Sequence, residues 1–209
     1  MKNAPADRKT IEENILFIRK IMNDTKRAEL KSGPIIIFWG TLIALAQGAT
    51  FFLLTGDYSD YIWPMWGIIA LIGATGTFFL ARKIELQNTF SERVLSTTWL
   101  AFGISAAVLL FLSPFGKSGV LDHGTGINPI MCLLLGMAYR IMGIVYDRRW
   151  ISYIAYCWWA AASILFAFPG DHSFLVFAVC MILFQVLPGL KILGEYRKEL
   201  ASEKGVSNE

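Results

Sequence analysis

Charge is scarce in this chain. Asp, Glu, Lys and Arg together make up 17% of its 209 residues, where an average soluble domain has about 25%. Histidine is limited to two residues and cysteine to three. Each of Cys132, Cys157 and Cys180 stands alone in an apolar run, with no CxxC and no nearby histidine. Metal and redox motifs are therefore missing, and the thiols are expected to be buried and unpaired. HExxH, GxSxG, a P-loop and a Gly-rich dinucleotide turn are also missing. The first 32 residues are too polar for a secretory h-region. No Lys/Arg-rich tract marks a nucleic-acid groove, so a nucleic-acid partner is not expected.

What the chain has in place of charge is apolar side chains, 55% of all residues. That share excludes disorder, and with so little charge it excludes one water-soluble domain with an ordinary core. Apolar runs occur at Gly33–Leu54, Tyr61–Ala81, Thr97–Phe115, Ile127–Tyr146, Ile151–Phe168 and Phe174–Leu193. Each has roughly the 20 residues that a bilayer crossing needs. Backbone groups find no water inside lipid, so the runs are expected to be helices. The fold class is then all-α, a polytopic bundle of six transmembrane helices. Six spans leave no room for a catalytic domain of about 100 residues or more outside the membrane.

Turn residues punctuate the runs. Gly33-Pro34 is expected to open the first span, because proline in a first turn forfeits no hydrogen bond. Gly56, Ser113-Pro114, Asn128-Pro129 and Pro169-Gly170 mark bends near span ends. Pro188-Gly189 falls late in the sixth run and is expected to kink or end it. Tyr58, Tyr61, Trp63 and Trp66 cluster at one predicted interface, and Tyr146, Trp150 and Tyr153 at another.

The basic residues set the orientation. Residues Met1–Ser32 hold eight Lys/Arg, the loop Arg82–Ser96 three, the turn after Tyr146 two, and the C-terminal segment four. The opposite loops hold only Lys117. The positive-inside rule then places both termini in the cytoplasm. The expected organisation is a cytoplasmic amphipathic helix over 1–32, a transmembrane domain over 33–193 and a cytoplasmic tail over 194–209.

Thr10 and Glu13 form a capping box that starts the N-terminal helix. Ile11, Ile15, Ile18 and Met22 follow at spacings of four, three and four, which puts them on one stripe. Glu12, Arg19, Lys20, Asn23, Lys26 and Arg27 take the other face. Such a helix suits the lipid surface, its own bundle, a second copy or a cytoplasmic protein partner. The segment IRKIMNDTKRAELKSGPIIIFWG also resembles the start of small, largely uncharacterised bacterial multi-pass membrane proteins. These carry I-R-x-x-M-x-x-[ST], then Ser-Gly, then the first span. The matching residues are Ile18, Arg19, Met22, Thr25, Ser32 and Gly33. The resemblance implies a bacterial inner membrane and a membrane-stress or sensing context, and it implies no catalytic residue.

Arg140 is the anomaly within the spans. It stands about six residues before the end of its run, so the side chain can snorkel to the head groups. Facing inward, it would hold an anionic ligand, a lipid phosphate or a carbonyl. No intramembrane carboxylate is available to it, and Gln185 and Tyr139 are its candidate neighbours. Gln47 is the other strong amide. These groups more often tie helices together than bind substrate. Tyr153, Tyr156, Trp158 and Trp159 offer an aromatic face on the fifth span. Gly73 and Gly76, and Gly136 and Gly143, lie near one face of their helices and are placed to seat a neighbour.

The two histidines both follow aspartate on the predicted outer side, as Asp122-His123 and Asp171-His172. With Asp57 or Asp60 they would make a divalent-metal shell if the three loops converge. Helix capping explains them equally well. No cofactor other than that metal is indicated. The expected function is a non-enzymatic sensing or interaction component, with the lipid bilayer as partner. The alternatives are a small-molecule or lipid transporter using Arg140, Gln185, Gln47 and Tyr139, and an outward-facing metal-dependent hydrolase using His123 and His172.

Overall fold

The computed structural model describes residues 8–83, 90–112 and 126–206. Among them every regular element is helical. The order is α1 (Arg8–Thr55), a 3-10 turn (Ser59–Tyr61), α2 (Ile62–Lys83), α3 (Phe90–Leu112), α4 (Ile127–Val145), α5 (Arg149–Ala167) and α6 (His172–Met181). A π-helical turn (Ile182–Val186) then leads into α7 (Leu187–Val206). Six helical stretches are long and apolar enough to cross a membrane, the last running from α6 through α7. The six expected runs each fall on one of them.

The ends of several runs differ from expectation. The third candidate span begins at Phe90, where the run was expected to begin at Thr97. Its polar opening, Ser91-Glu92-Arg93, is already helical, with Glu92 in the first turn where the helix dipole favours an anion. Hydropathy alone reads those residues as loop. The boundaries set at 32/33 and 193/194 both fall inside continuous helices.

Two prolines lie within helices, each with its own local relief. Pro34, with Gly33, does stand at the start of the first candidate span, Ser32–Thr55, but not in the first turn of a helix, because it lies inside α1. Its ring would crowd a Cβ on the preceding residue, and that residue is Gly33, which has none. Pro188 does not end the last helix, which runs on to Val206, and it follows a π turn, a place where helices bend. The π turn Ile182–Val186 directly before it widens the hydrogen-bond spacing, so the missing amide falls where the regular ladder is already interrupted. Pro64 and Pro129, by contrast, sit in the first turns of α2 and α4, where their lost donors are orphans anyway.

The core is built on α4, α5 and α6. On α4 the residues Asn128, Cys132, Leu135, Tyr139, Met142 and Tyr146 are all buried, at spacings of four and three. On α5 Ile151, Ala155, Trp158, Ala162 and Leu165 repeat that rhythm. Such a pattern makes one continuous stripe per helix, so the two form an antiparallel hairpin. Glycines bring it close: a Cβ at Gly143 would collide with Ser152, and one at Gly136 with Trp159. The turn joining them places Asp147 at φ 52°.

Helix α1 lies against α6, the π turn and α7. Its buried face reads Gly33, Ile36, Gly40, Ala44, Gln47 and Thr50. A Cβ at Gly33 would stand 3.2 Å from the Gly189 carbonyl oxygen, and one at Gly40 3.1 Å from Gln185 Cγ. Positions therefore run in opposite directions along the seam. On its other side α1 receives α2, where Gly73 and Gly76 accept Trp39 and Phe38. Trp39 Nε1 donates to Thr77 Oγ1 at 2.9 Å. Helix α3 packs on α4 through Trp99, whose ring meets that of Tyr139 edge-on at 6.1 Å. Most of α2 and α3 faces outward, with Leu71, Phe79 and Leu100 more than half exposed.

Candidate functional site

The expected site residues do not gather in one place. Those expected to bind a ligand, all among the described residues, divide between a buried polar layer, the π-turn seam, the contact of α4 with α3 and the outward face of the α4–α5 hairpin. The polar layer joins three helices near the end of the bundle where α4 and α6 begin. Gln47 of α1 donates from Nε2 to Asn128 Oδ1 of α4 at 2.9 Å. Asn128 Nδ2 in turn donates to Ser173 Oγ of α6 at 3.3 Å. All three side chains are buried, as is Thr50 one turn further along α1. Thr50 Oγ1 accepts from Trp66 Nε1 at 3.2 Å and donates to the Ala46 carbonyl at 2.8 Å. The layer therefore reaches α2 as well.

Gln47 was an expected member; Asn128, Ser173 and Thr50 were not. Asn128 had been assigned only to a bend. Its place on the α4 stripe that runs through Cys132, Leu135 and Tyr139 is the signal that marks it as core. Neutral amides and hydroxyls of this kind hold helices in register and supply no acid or base at neutral pH. Gln47 Oε1 keeps an acceptor without a hydrogen-bond partner among the described residues.

Gln185 lies in the π turn and is buried against Gly40 of α1. Its Oε1 also lacks a partner among the described residues, as does the Tyr139 hydroxyl. Gly40 and Gln47 are seven residues apart on one face of α1, so the two glutamines mark levels about 10 Å apart on a single seam. Tyr139 instead faces Trp99 of α3.

Arg140 is elsewhere. It is half-buried on α4, and its guanidinium carbon stands 6.0 Å from the centre of the Tyr156 ring of α5. The four residues expected to share a cavity thus occupy four different contacts: α1 with α4, α1 with the π turn, α4 with α3, and α4 with α5.

A set of contacts ties the α4–α5 turn to α7. Arg148 Nη2 approaches Glu195 Oε2 at 3.7 Å, and Lys191 Nζ lies 4.2 Å from the centre of the Trp150 ring. These groups come from the segments that the Lys/Arg count put on one side.

Of the expected metal ligands, Asp122 and His123 lie outside the described residues. His172 opens α6, and its Nε2 lies 2.9 Å from the Phe168 carbonyl oxygen at the end of α5. Asp171 is the residue before α6 and makes no side-chain capping bond. Among the described residues no three His, Cys, Asp or Glu side chains are grouped closely enough to hold a metal ion. Cys132 and Cys180 are buried, whereas Cys157 is exposed.

In the N-terminal stripe Ile11, Ile15, Ile18 and Met22 all lie on the α1 helix. The side chains of Ile11, Ile18 and Met22 lie outside the described ones. Ile15 is exposed, and so is its neighbour Leu16. No family model, curated protein or solved structure matches the chain.

Proposed function

We propose that the chain is a multi-pass protein of a bacterial inner membrane that acts as a non-enzymatic sensing or interaction component. Both termini lie in the cytoplasm, and the first helix is the moving part. The observation that carries this reading is that Arg8–Thr55 is one helix of 48 residues. Its length is about 72 Å at 1.5 Å per residue. The hydrocarbon core of a bilayer is only about 30 Å thick. The candidate span begins at Ser32, so residues 8–31 extend about 36 Å beyond it.

A helix without a joint transmits rotation and tilt along its length. The membrane part of α1 is in contact with α2, α6, the π turn and α7, and it supplies Gln47 and Thr50 to the polar layer. An event at the extension therefore reaches the centre of the bundle. The extension also carries exposed apolar side chains, Ile15 and Leu16, which suit a second copy or a cytoplasmic protein. The excess of Lys and Arg on the segments joined at this end supports the orientation.

A transporter would need Arg140 and Gln185 on one path, and they stand against different helices, α5 and α1. A hydrolase would need His123 beside His172, whose Nε2 is engaged by Phe168. The sensing and interaction reading has the stronger support.

The test uses the full chain in native membranes. Self-association and partner crosslinking are measured for the wild type, for a deletion of residues 8–31, and for alanine insertions after Lys31. Two inserted residues rotate the extension by about 200°, and seven return it to within about 20° of its starting face. Association is expected to be lost in the deletion and the two-residue insertion, and kept in the seven-residue insertion. Unchanged association in the deletion would overturn the reading.

A further inference from the structure

Arg140 carries a permanent positive charge inside a candidate span. Placing an arginine at the centre of a span costs about 2.5–3.5 kcal/mol on insertion scales, and such residues are normally paired. Among the described residues no carboxylate or hydrogen-bond acceptor is recorded against Arg140, and its contact is the face of Tyr156. The nearby ion pair uses Arg148 and Glu195 instead. A cation over a ring still has its N–H edges to satisfy, and in hydrocarbon an unmade hydrogen bond is expensive. Among the described residues nothing supplies the counter-charge.

The surroundings show which way Arg140 faces. Met137 and Ile144, about one turn either side of Arg140 on α4, and the adjacent Ile141 are all exposed. On α5 Tyr156 and Tyr153 are exposed too. Arg140 is thus a half-buried cation on the outward face of the α4–α5 hairpin, among exposed apolar and aromatic side chains. Val145, which ends α4, is five residues away, so the arginine stands about 7.5 Å from the end of the helix. Arg149, Tyr153 and Tyr156 follow one another on a single face of α5, at about 0, 6 and 10.5 Å from its start. Positive charge at the start of α5, a phenol hydroxyl about one turn in and the Arg140 guanidinium at a similar depth form a graded polar track beside apolar side chains.

We propose that this face of the α4–α5 hairpin is a phospholipid site in the leaflet next to the α4–α5 turn. Arg140 takes the lipid phosphate, for which its planar fork of donors is matched. Tyr153 donates a hydroxyl hydrogen bond to the same head group, and Arg149 adds charge at the start of α5. The acyl chains run past Ile141 and Met137. Two cations with Arg148 already held by Glu195 select an anionic head group, such as phosphatidylglycerol, over a zwitterionic one. The site rests on the membrane reading given above and extends it with a lipid of defined charge.

The experiment is native mass spectrometry and thermal unfolding of the full chain in neutral detergent, titrated with phosphatidylglycerol, phosphatidylcholine or inorganic phosphate. Wild-type protein is expected to retain phosphatidylglycerol and to be stabilised by it, with a weaker response to phosphatidylcholine and none to inorganic phosphate. Arg140→Gln is expected to weaken phosphatidylglycerol binding by about tenfold or more. The pair Arg149→Gln and Tyr153→Phe, which leaves Arg140 in place, weakens it by a smaller factor and serves if Arg140→Gln does not fold. Equal lipid binding by wild type and by the variants that fold would overturn the site. Stabilisation by inorganic phosphate to the same extent would overturn its assignment to lipid. Wild-type protein that stays monomeric in water without detergent would instead overturn the membrane reading itself.

Discussion

Gln47 and Asn128 stand 81 residues apart in sequence and meet through a hydrogen bond of 2.9 Å inside the bundle. Asn128 uses its other end on Ser173, so one side chain fixes the relative depth of α1, α4 and α6. Helices in lipid gain little from apolar contact with one another, so such bonds and close packing set the register. Asn128→Ala removes both bonds and leaves Gln47 with neither end partnered. The expected loss is about 1–3 kcal/mol of unfolding free energy, the cost of stranding buried polar groups. A double-mutant cycle of Gln47→Ala with Asn128→Ala, measured by unfolding in mixed micelles, is expected to give a coupling of about 0.6–1.7 kcal/mol.

The Tyr139 hydroxyl makes the opposite case. The side chain is fully buried, and its oxygen has no hydrogen-bond partner among the described residues. Its ring, packed on Trp99, contributes the stability. Tyr139→Phe keeps the ring and removes the stranded group. Unfolding of this variant is expected to need the same free energy as wild type or up to about 1 kcal/mol more. A loss comparable to that of Asn128→Ala would show that the hydroxyl has a partner.

Glycine positions separate close helix contacts from open ones. A Cβ at Gly143 would stand 2.7 Å from the Ser152 backbone nitrogen, and backbone cannot step aside. At Gly103 of α3 nothing lies within 4 Å. Gly143→Ala is expected to destabilise by about 1–3 kcal/mol through overpacking. Gly103→Ala is expected to be neutral or to stabilise by up to about 1 kcal/mol, from helix propensity alone. Thermal unfolding of the two variants side by side checks the contrast.

The six helices were legible because hydropathy reports long apolar runs directly, and each run lies on a helix that is long and apolar enough to cross. The seating glycines were legible too: Gly73, Gly76, Gly136 and Gly143 all receive a neighbour. What composition hides is where a helix stops. Ser91-Glu92-Arg93 is polar yet helical, and Pro34 and Pro188 are helix breakers by rule yet lie within helices. In each case the neighbouring residues, Gly33 or the π turn, remove the local conflict. The polar residues were harder still. Arg140, Gln185, Gln47 and Tyr139 look alike in a sequence because each is a polar group in an apolar run. Which helix each one faces depends on rotations of a few tens of degrees, and these separate Gln185 on α1 from Arg140 on α5. Asn128 was hidden for another reason, since an Asn-Pro pair reads as a turn even when its side chain continues a buried stripe.

The continuity of α1 through Gly33-Pro34 is what lets an event at the extension reach the bundle. Its most direct measurement is the distance between spin labels at positions 16 and 45. Leu16 and Leu45 are both exposed, and the labels are carried on Leu16→Cys and Leu45→Cys with Cys157→Ser. Twenty-nine residues of unbroken helix separate them by about 44 Å. A helix that turned at Pro34 to lie flat along the membrane would bring them to about 31 Å. A pulsed electron spin resonance distribution centred near the longer value, in lipid nanodiscs, is the expected result, and one centred near the shorter value would contradict it.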